Sequence, residues 1–244
     1  MDSVERAALR ARAKGIGVGI FAAPPLAIGT ALEALDGAEV LHFDIMDGVW
    51  VPQFTAGPGF VSALRGQGFL DVHLMVAAPE SQILPFAKAG ADLITVHAEA
   101  LNAAAALGAI RTASADLGRP ILAGLGVMPG TALESLAPLL AQKPDVILVL
   151  ALDPRDGAPA DVPAAAERLA QLRALCAEVA ADFTPVMAID GGITADSIEA
   201  ACTTGADLVV SGSAIFKAAD PAAMLAQLEA ARKAGKVAAE QTHD

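Results

Sequence analysis

Residues 40–46, with the sequence VLHFDIM, form a short and mainly apolar run of the kind that favours a buried β-strand. Seven further runs of this type occur along the chain, and a segment with helical periodicity follows each run. The runs are apolar at most positions rather than at alternate positions, which is typical of parallel strands covered on both faces. The predicted strands comprise residues 15–22, 40–46, 69–76, 93–97, 121–126, 146–150, 186–190 and 208–211.

Regular alternation of eight strands with helices predicts an α/β fold, a (β/α)8 or TIM barrel, and disfavours a doubly wound sheet. The length of 244 residues is usual for a barrel, and no linker rich in proline or glycine divides the chain. We therefore expect a single domain over residues 1–244, with the barrel core at about residues 15–217. Residues 231–244 are charged and polar, and we expect a tail there whose end, including His243, is mobile. The longest irregular loop, residues 153–163, follows the sixth strand, on the face where barrels place active sites.

The net charge of −12 disfavours binding to nucleic acid or to an anionic membrane surface. No stretch is predicted to span a membrane, because glycine and proline residues interrupt the longest apolar stretch, residues 15–32. Basic residues precede this stretch, so it resembles a secretory signal, but a first barrel strand is the favoured interpretation. Cys176 and Cys202 lack the spacing of a metal site or a disulfide, which fits a reducing cytoplasm.

Four side chains with metal-binding chemistry lie at or near the ends of predicted strands. His42 and Asp44 are two residues apart in one strand, so both project from the same face, roughly 6.5 to 7 Å apart. His73 lies near the end of the third strand and Asp190 ends the seventh, and a barrel would bring all four to its C-terminal mouth. Two imidazoles and two carboxylates suit one divalent ion, which could be zinc, iron, manganese or cobalt.

A single histidine at a strand end is more often a hydrogen-bonded structural residue than a metal ligand. Here three of the four histidines in the chain lie at strand ends, and two of them have aspartate companions. This pattern favours a metal site over isolated structural roles. For the third, His97, and the nearby Glu99, structural roles are the favoured interpretation.

These residues resemble the ribulose-phosphate 3-epimerase family, and the resemblance covers about residues 15–217. The matching blocks occur in the family's order and are highly specific for it, but they are less specific for one substrate. They are HFDIMDG at 42–48 with VP at 51–52, DVHLM at 71–75, TVHAE at 95–99, DGG at 190–192 and GSAIF at 212–216.

The resemblance implies a metal-dependent 3-epimerase that inverts carbon 3 of a ketose phosphate of the ribulose 5-phosphate/xylulose 5-phosphate type. It also implies that His42, Asp44, His73 and Asp190 hold the metal and that the two aspartates serve as acid and base. A C–H bond next to a ketone is too weak an acid for an unaided carboxylate, and a metal ion stabilises the enediolate. Inversion of the carbon also requires that a proton is delivered to the face opposite the one that lost it, and a second carboxyl group can do this.

Two methionines, Met46 and Met75, match apolar residues that line the ion pocket in the family. Core packing explains them about equally well, because methionine fills irregular gaps anywhere. By our alignment, the family's third methionine corresponds to Leu150.

The family binds phosphate through backbone N–H groups after strands six, seven and eight, a place where barrels commonly bind phosphate. The loop after strand six departs from the family, because it reads DPRDGAP at 153–159 instead of an Asn-Pro-Gly-Phe-Gly-Gly-Gln type sequence. Arg155 in this loop is either a direct phosphate ligand or a solvated charge. The family's substrate-contacting serine in strand one falls near Ile20. The predicted substrate-binding residues are Gly191, Gly192, Gly212, Ser213 and Arg155.

Three other functions stay open. The altered loop would suit an epimerase for a different phosphorylated or free ketose. A non-catalytic metabolite-binding protein need not retain two acid/base carboxylates, and a decarboxylase or aldolase is disfavoured because no lysine lies on a predicted strand. The expected partner is a small-molecule ketose or ketose phosphate, with no nucleic acid and no membrane. The resemblance also implies a homo-oligomer, a dimer or a hexamer.

Overall fold

The computed structural model describes residues 3–35, 37–203 and 205–241. Its strands are parallel and pair in chain order, and the last pairs with the first, so the sheet closes into a barrel. This confirms the predicted (β/α)8 barrel. The strands are β1 (Gly15–Gly19), β2 (Val40–Met46), β3 (Phe69–Met75), β4 (Leu93–His97), β5 (Leu122–Val127), β6 (Val146–Leu150), β7 (Val186–Asp190) and β8 (Leu208–Ser211).

Helices surround the barrel and pack on the outward-facing side chains of the strands. Phe43 and Ile94 point into this layer and belong to one buried cluster with Phe86 and Ile110. Among the described helices, none has the length and apolar character needed to cross a membrane. The α-helices are α1 (Ser3–Arg12), α2 (Ile28–Glu33), α3 (Pro58–Ala63), α4 (Glu80–Ala89), α5 (Ala103–Asp116), α6 (Ala137–Leu140), α7 (Val162–Val179), α8 (Ile198–Thr203), α9 (Ser213–Phe216) and α10 (Pro221–Gln241).

The lower part of the barrel interior, at the N-terminal ends of the strands, is apolar. Val40, Phe69 and Leu93 belong there to one buried cluster with side chains from β5, β6, β7 and β8. Leu9 and Ala13 belong to the same cluster, so the N-terminal helix and the residue that follows it close this end of the barrel. Apolar burial therefore stabilises the end of the barrel opposite the predicted metal ligands.

The upper part of the interior is polar. The register of the parallel strands places His42 beside Asp71 and Asp44 beside His73, and it places His73 beside Thr95. Alternate residues along a strand point to the same face, so these side chains all project into the barrel. The fold thus gathers histidines and aspartates from adjacent strands into one layer.

Two features differ from the sequence-based expectations. The first strand was expected over residues 15–22, but β1 ends at Gly19 and a 3-10 helix occupies Ile20–Ala22. Pro24 and Pro25 follow after Ala23 and have no N–H groups with which to extend the pairing. The expected polar tail is also helical in its described part, because α10 continues to Gln241. His243 lies outside the described residues.

Candidate metal centre and substrate cavity

Four side chains meet at the C-terminal end of the barrel: His42 and Asp44 from β2, His73 from β3 and Asp190 from β7. One potential ligand atom from each lies within 4.8 Å of the other three. Oδ1 of Asp44 is 3.2 Å from Nε2 of His42 and 3.1 Å from Nδ1 of His73. Oδ2 of Asp190 is 3.5 Å and 3.6 Å from the same two nitrogens. The structure brings together all four residues that the sequence predicted as metal ligands.

The spacing of these donor atoms fits a divalent metal ion. Ligands at roughly 2.0–2.1 Å from a tetrahedral ion are about 3.3 Å from one another. The four imidazole–carboxylate distances lie between 3.1 and 3.6 Å. Two imidazoles and two carboxylates suit zinc, iron, manganese or cobalt, as the donor types alone predict.

The four groups strongly affect one another's ionisation. Burial raises the pKa of Asp44, but the charge of His42 and hydrogen bonds from both imidazoles outweigh burial and hold it far below its ordinary value. Burial and the charge of Asp44 raise the pKa of Asp190, yet hydrogen bonds from His42 and His73 leave it below its ordinary value. Burial lowers the pKa of both imidazoles, and the surrounding carboxylates raise it above the usual 6.5. The carboxylates and the imidazoles therefore stabilise one another's charged forms.

Asp71 lies directly behind one of the candidate ligands. Its Oδ2 is 2.7 Å from Nδ1 of His42, and its side chain is 2% exposed. A carboxylate in this position accepts the Nδ1 proton and leaves the Nε2 lone pair free to face the cluster. The sequence analysis did not single out Asp71, although its place two residues before His73 on the same strand puts both on one face.

A longer chain of contacts lies behind the other candidate histidine. Nε2 of His73 is 2.7 Å from Nε2 of His97, and Nδ1 of His97 is 3.2 Å from Oε2 of Glu99. The remaining oxygen of Glu99 accepts hydrogen bonds from the backbone N–H of Met128, at 3.0 Å, and from the hydroxyl of Thr131. Hydrogen bonds to a backbone N–H and to a side-chain hydroxyl thus anchor Glu99.

The pKa values of His97 and Glu99 give the charge of each group in this line of contacts. Burial lowers the pKa of His97 to about 4, so its ring is neutral at pH 7. Burial raises the pKa of Glu99, but hydrogen bonds from His97 and Thr131 outweigh it and bring the value to about 2. A neutral imidazole therefore lies between a carboxylate and a candidate metal ligand.

An open cavity of about 380 Å³ lies directly above the cluster. Asp44 and Asp190 form part of its lining, and apolar side chains surround them. The cavity is of the size that small-molecule sites usually have. Its lining includes every predicted pocket and substrate residue except Arg155: Met46, Met75, Leu150, Gly191, Gly192, Gly212 and Ser213.

The glycines after β7 have two different roles. The N–H of Gly191 donates a 2.6 Å hydrogen bond to Oδ1 of Asp190, so this group orients the carboxylate. Gly192 has φ = +66°, and a Cβ added there would lie 2.6 Å from the Cβ of Ala160. Both the left-handed conformation and the close approach of the loop require glycine at residue 192.

Arg155 is not among the residues that line the cavity. Its guanidinium makes a two-pronged contact with Asp153, including a 2.6 Å hydrogen bond, and lies over the ring of Trp50 at 5.4 Å from the centroid. The hydrogen bond to Asp153 raises the pKa of Arg155. Asp156 accepts the backbone N–H of Ala158 and shapes the loop. A role for Arg155 in phosphate binding stays a prediction.

Comparison with known proteins gives one consistent relationship. Residues 15–216 match the model of the Ribulose-phosphate 3 epimerase family. A ribulose-phosphate 3-epimerase of Mycobacterium leprae is 39% identical over 203 residues, covering 82% of this chain and 86% of the relative. A chloroplastic ribulose-5-phosphate-3-epimerase of Arabidopsis thaliana is 33% identical, covering 86% of this chain and 74% of the relative.

Solved structures share the fold at much lower sequence identity. A 3-hexulose-6-phosphate synthase from Salmonella typhimurium superposes with a TM-score of 0.68 at 16% identity, covering 91% of this chain and 99% of that one. A 3-keto-L-gulonate-6-phosphate decarboxylase from Vibrio cholerae gives 0.65 at 16% identity, covering 91% and 98%. These likenesses support the barrel and carry no argument about chemistry.

Proposed function

This chain belongs to the ribulose-phosphate 3-epimerase family, and we propose that it inverts carbon 3 of a pentulose 5-phosphate at the His–Asp cluster. The family resemblance of the sequence blocks is confirmed, and the protein is a carbohydrate epimerase of the isomerase class. The observation that carries the proposed site is the placement of two carboxylates beside two imidazoles at the floor of an open cavity.

The proposed cofactor is one divalent ion held by His42, Asp44, His73 and Asp190, chosen from zinc, iron, manganese and cobalt. A bound ion would supply positive charge to stabilise the oxyanion that develops when the C–H bond beside a ketone is broken. The donor spacing described above supports this choice, as does the pair of carboxylates behind the two histidines.

The two aspartates are the proposed acid and base. Both are buried against imidazoles that hold their pKa below the ordinary value, so both are ionised and ready to accept a proton. One carboxylate takes the proton from carbon 3 on one face of the sugar. The other aspartate, once it has taken up a proton from water through the open cavity, delivers that proton to the opposite face, so each turnover exchanges the protonation states of the two groups. Reversal of these roles gives the reverse reaction. The N–H of Gly191 donates a hydrogen bond to Asp190 and so fixes the orientation of this carboxylate.

The phosphate end of the substrate is proposed to lie against Gly192, Gly212 and Ser213. These residues line the same cavity as the two aspartates and lie on the loops that follow β7 and β8. Loops in this position commonly bind phosphate in barrels. Arg155 would have to break its ion pair with Asp153 to join them.

A second candidate function is epimerisation of a different ketose, phosphorylated or free. The observation that favours it is the loop after β6, in which Arg155 and Asp153 pair with each other and the neighbouring side chains are acidic or small. This loop differs from the phosphate-binding loop expected of the family. Epimerisation by the two aspartates and the identity of the sugar are therefore separate proposals, because the first depends on the cluster and the second on the substrate loops.

One experiment tests both. The purified protein is analysed for bound metals and incubated in D₂O with ribulose 5-phosphate, xylulose 5-phosphate, fructose 6-phosphate and the free ketoses. Deuterium incorporation at carbon 3 is followed by NMR. Preferred exchange of the pentulose phosphates supports the first proposal, and preferred exchange of another sugar supports the second. Bound metal without exchange of any sugar would overturn both in favour of a binding protein.

We further propose that the protein works in the cytoplasm as a homo-oligomer, a dimer or a hexamer. The absence of a disulfide between the described cysteines, which are both buried and free, is compatible with a reducing compartment. Light scattering on the purified chain measures the number of subunits, and a monomeric mass would contradict the oligomer.

A further inference from the structure

We propose that Glu99 is a positioning residue that acts through His97 to set the tautomer and ring orientation of His73, and so controls metal affinity. The inference rests on the proposed function, because it takes His73 as a metal ligand. Neither Glu99 nor His97 belongs to the four-residue cluster itself.

The contacts form an unbroken line from Glu99 to the cluster. Oε2 of Glu99 faces Nδ1 of His97 at 3.2 Å, and Nε2 of His97 faces Nε2 of His73 at 2.7 Å. The opposite nitrogen of His73 faces Asp44 at 3.1 Å. Both rings are fully buried, so their nitrogens depend on these protein partners rather than on bulk water.

Hydrogen-bond polarity then determines every proton in the line. An ionised carboxylate can only accept, and one oxygen of Glu99 already accepts from Met128 and Thr131. The other oxygen must therefore face an N–H, which places the proton of His97 on Nδ1. The lone pair on Nε2 of His97 in turn accepts the Nε2 proton of His73. When an ion replaces the second proton of His73, the Nδ1 lone pair of this ring points at the cluster, as a metal ligand requires.

The ring of His97 is also held from its sides. A Cβ added to Gly126 would lie 3.0 Å from two atoms of this ring, so only glycine on β5 leaves the ring its space. The indole of Trp50 lies on the ring with centroids 4.6 Å apart. These contacts limit rotation of the imidazole, and the relay from Glu99 through His97 to His73 therefore has one arrangement.

The other candidate histidine has a shorter version of the same arrangement. Asp71 contacts Nδ1 of His42 directly, with no intervening ring. Two carboxylates outside the cluster thus orient the two imidazoles inside it. Loss of such outer partners typically weakens metal binding by about 10- to 100-fold.

The test is Glu99→Gln in the full-length protein, measured with Zn²⁺ alone by chelator competition. The amide keeps the shape of the side chain, and its oxygen can still accept from Met128 and Thr131. Its NH₂ group then donates to Nδ1 of His97, which reverses the proton order and puts a proton on Nδ1 of His73. We expect the zinc dissociation constant to rise by about 10- to 100-fold.

Long-range ¹H–¹⁵N NMR of histidine-labelled protein reads the tautomers directly. We expect His97 to carry its proton on Nδ1 in the zinc-loaded wild type and on Nε2 in zinc-free Glu99→Gln, because a proton on Nδ1 of His73 excludes the ion. His97→Phe, which keeps a ring in the same space, should weaken zinc binding as well. Glu134→Gln is the matched control. Like Glu99, the exposed carboxylate of Glu134 raises the pKa of Arg168 through its charge, but it makes no described contact with the relay.

The results separate this inference from the proposed function. A wild-type protein that binds no zinc contradicts the proposed metal site. If the wild type binds zinc, an unchanged tautomer and a dissociation constant within about twofold in Glu99→Gln would overturn the relay, whatever happens to thermal stability. An equal loss in Glu134→Gln would also overturn it, because the effect would then be one of overall charge.

Discussion

Asp44 and Asp190 must each satisfy two demands, because the proposed reaction uses them as metal ligands and as proton carriers. The imidazoles of His42 and His73 serve the first demand by holding the pKa of both carboxyl groups low. The second demand is met by exposure to the cavity, which both aspartates line. In each turnover the pair then handles two protons, one taken from carbon and one delivered to it, and each aspartate can work as acid or base according to the handedness of the substrate.

Asp190→Asn should therefore stop proton exchange on one face of the sugar, and Asp44→Asn on the other. An amide cannot accept the proton, and general acid–base catalysis typically contributes about 10²–10⁴-fold to the rate. Single-turnover deuterium exchange from each epimer, with metal content measured in parallel, distinguishes a lost base from a lost ion. Asp156→Asn, in an exposed turn outside the cavity, is the control. Full epimerase activity in both cluster variants would refute the assignment.

Arg155→Ala should change the KM for a phosphorylated ketose by less than about twofold, a change of under ~0.5 kcal/mol in binding. The reason is that the guanidinium is paired with Asp153 and stacked on Trp50 rather than turned into the cavity. Steady-state kinetics with phosphorylated and free forms of one sugar provide the measurement. A tenfold rise confined to the phosphorylated form would instead place Arg155 on the phosphate.

Some site residues could be predicted from the sequence and others could not. The cluster ligands could, because alternation along β2 and the common mouth of a barrel bring His42 and Asp44 to the same place as residues from distant strands. The contacts of Arg155 could not be predicted, because the partners that lie near a loop side chain depend on how the chain folds. Glu99 was expected to have a structural role. Its connection to the cluster depends on the contact between the imidazoles of His97 and His73, which join two different strands.

At the level of elements, aspartates join neighbouring strands at the N-terminal end of the barrel. An aspartate comes directly before each of three strands: Asp92, Asp145 and Asp207. The side chain of each accepts a hydrogen bond from the backbone N–H of the second residue of the neighbouring, preceding strand. Cationic side chains pair with all three carboxylates. The same device thus recurs before β4, β6 and β8, at the end of the barrel that serves stability rather than chemistry.

Asp207→Asn should destabilise the fold by about 1–3 kcal/mol at pH 7, because it removes a charge-assisted hydrogen bond from a partly buried lysine and weakens the one from a buried backbone N–H. Its carboxylate accepts from Lys236 on α10 at 2.6 Å and from Met187 at 3.2 Å. Burial raises the pKa of Asp207, but Lys236 and Lys14 outweigh it and lower the value. The contribution is present above the unfolded pKa of about 4 and is lost as the pH falls through the lower, folded pKa.

Urea unfolding of wild type and variant at pH 7 and at pH 3 measures this effect, and the difference between them should shrink at pH 3. Asp182→Asn is the control, since Asp182 is exposed and its pair with Lys143 is solvated. We expect that control to change stability by less than about 0.5 kcal/mol. A difference that does not depend on pH would argue against the ion pairs.

Strand positions were predictable to within a residue or two over most of the barrel, because continuous apolar runs bounded by glycine and proline mark buried parallel strands. The end of β1 and the length of α10 were not. Residues 231–241 contain few large apolar groups, yet alanine, lysine and glutamate favour a helix. Tertiary packing holds α10, which approaches α8 so closely that a Cβ on Gly235 would lie 2.6 Å from Cβ of Cys202.

The whole molecule separates stability from chemistry along the barrel axis. Apolar side chains and aspartate–cation pairs occupy the N-terminal end, and the polar cluster and cavity occupy the C-terminal end. The chain carries a net charge of −12, so an anionic sugar phosphate is repelled at long range and depends on local attraction inside the cavity. A divalent ion between two carboxylates would reduce that repulsion where the substrate binds.

Removal of the metal by a chelator should abolish proton exchange while leaving the barrel folded. Without the ion, protonated His42 and His73 form ion pairs with the carboxylates, because these neighbours raise the pKa of both imidazoles. A ligand at 100 times its dissociation constant adds about 2.7 kcal/mol to stability. For a chain of this size that corresponds to a rise in Tm of roughly 5–10 °C on adding zinc.

This rise should grow between pH 6 and pH 8.5. The raised pKa of each imidazole stabilises the metal-free fold fully below the unfolded value of about 6.5, and this contribution is lost as the pH rises through the folded pKa. Protons also compete with the ion for the same nitrogens, and that competition weakens in the same direction. Scanning calorimetry with zinc and with chelator measures the difference. In His42→Ala the rise should be largely lost at every pH, and an equal rise in that variant would place the ion elsewhere in the molecule.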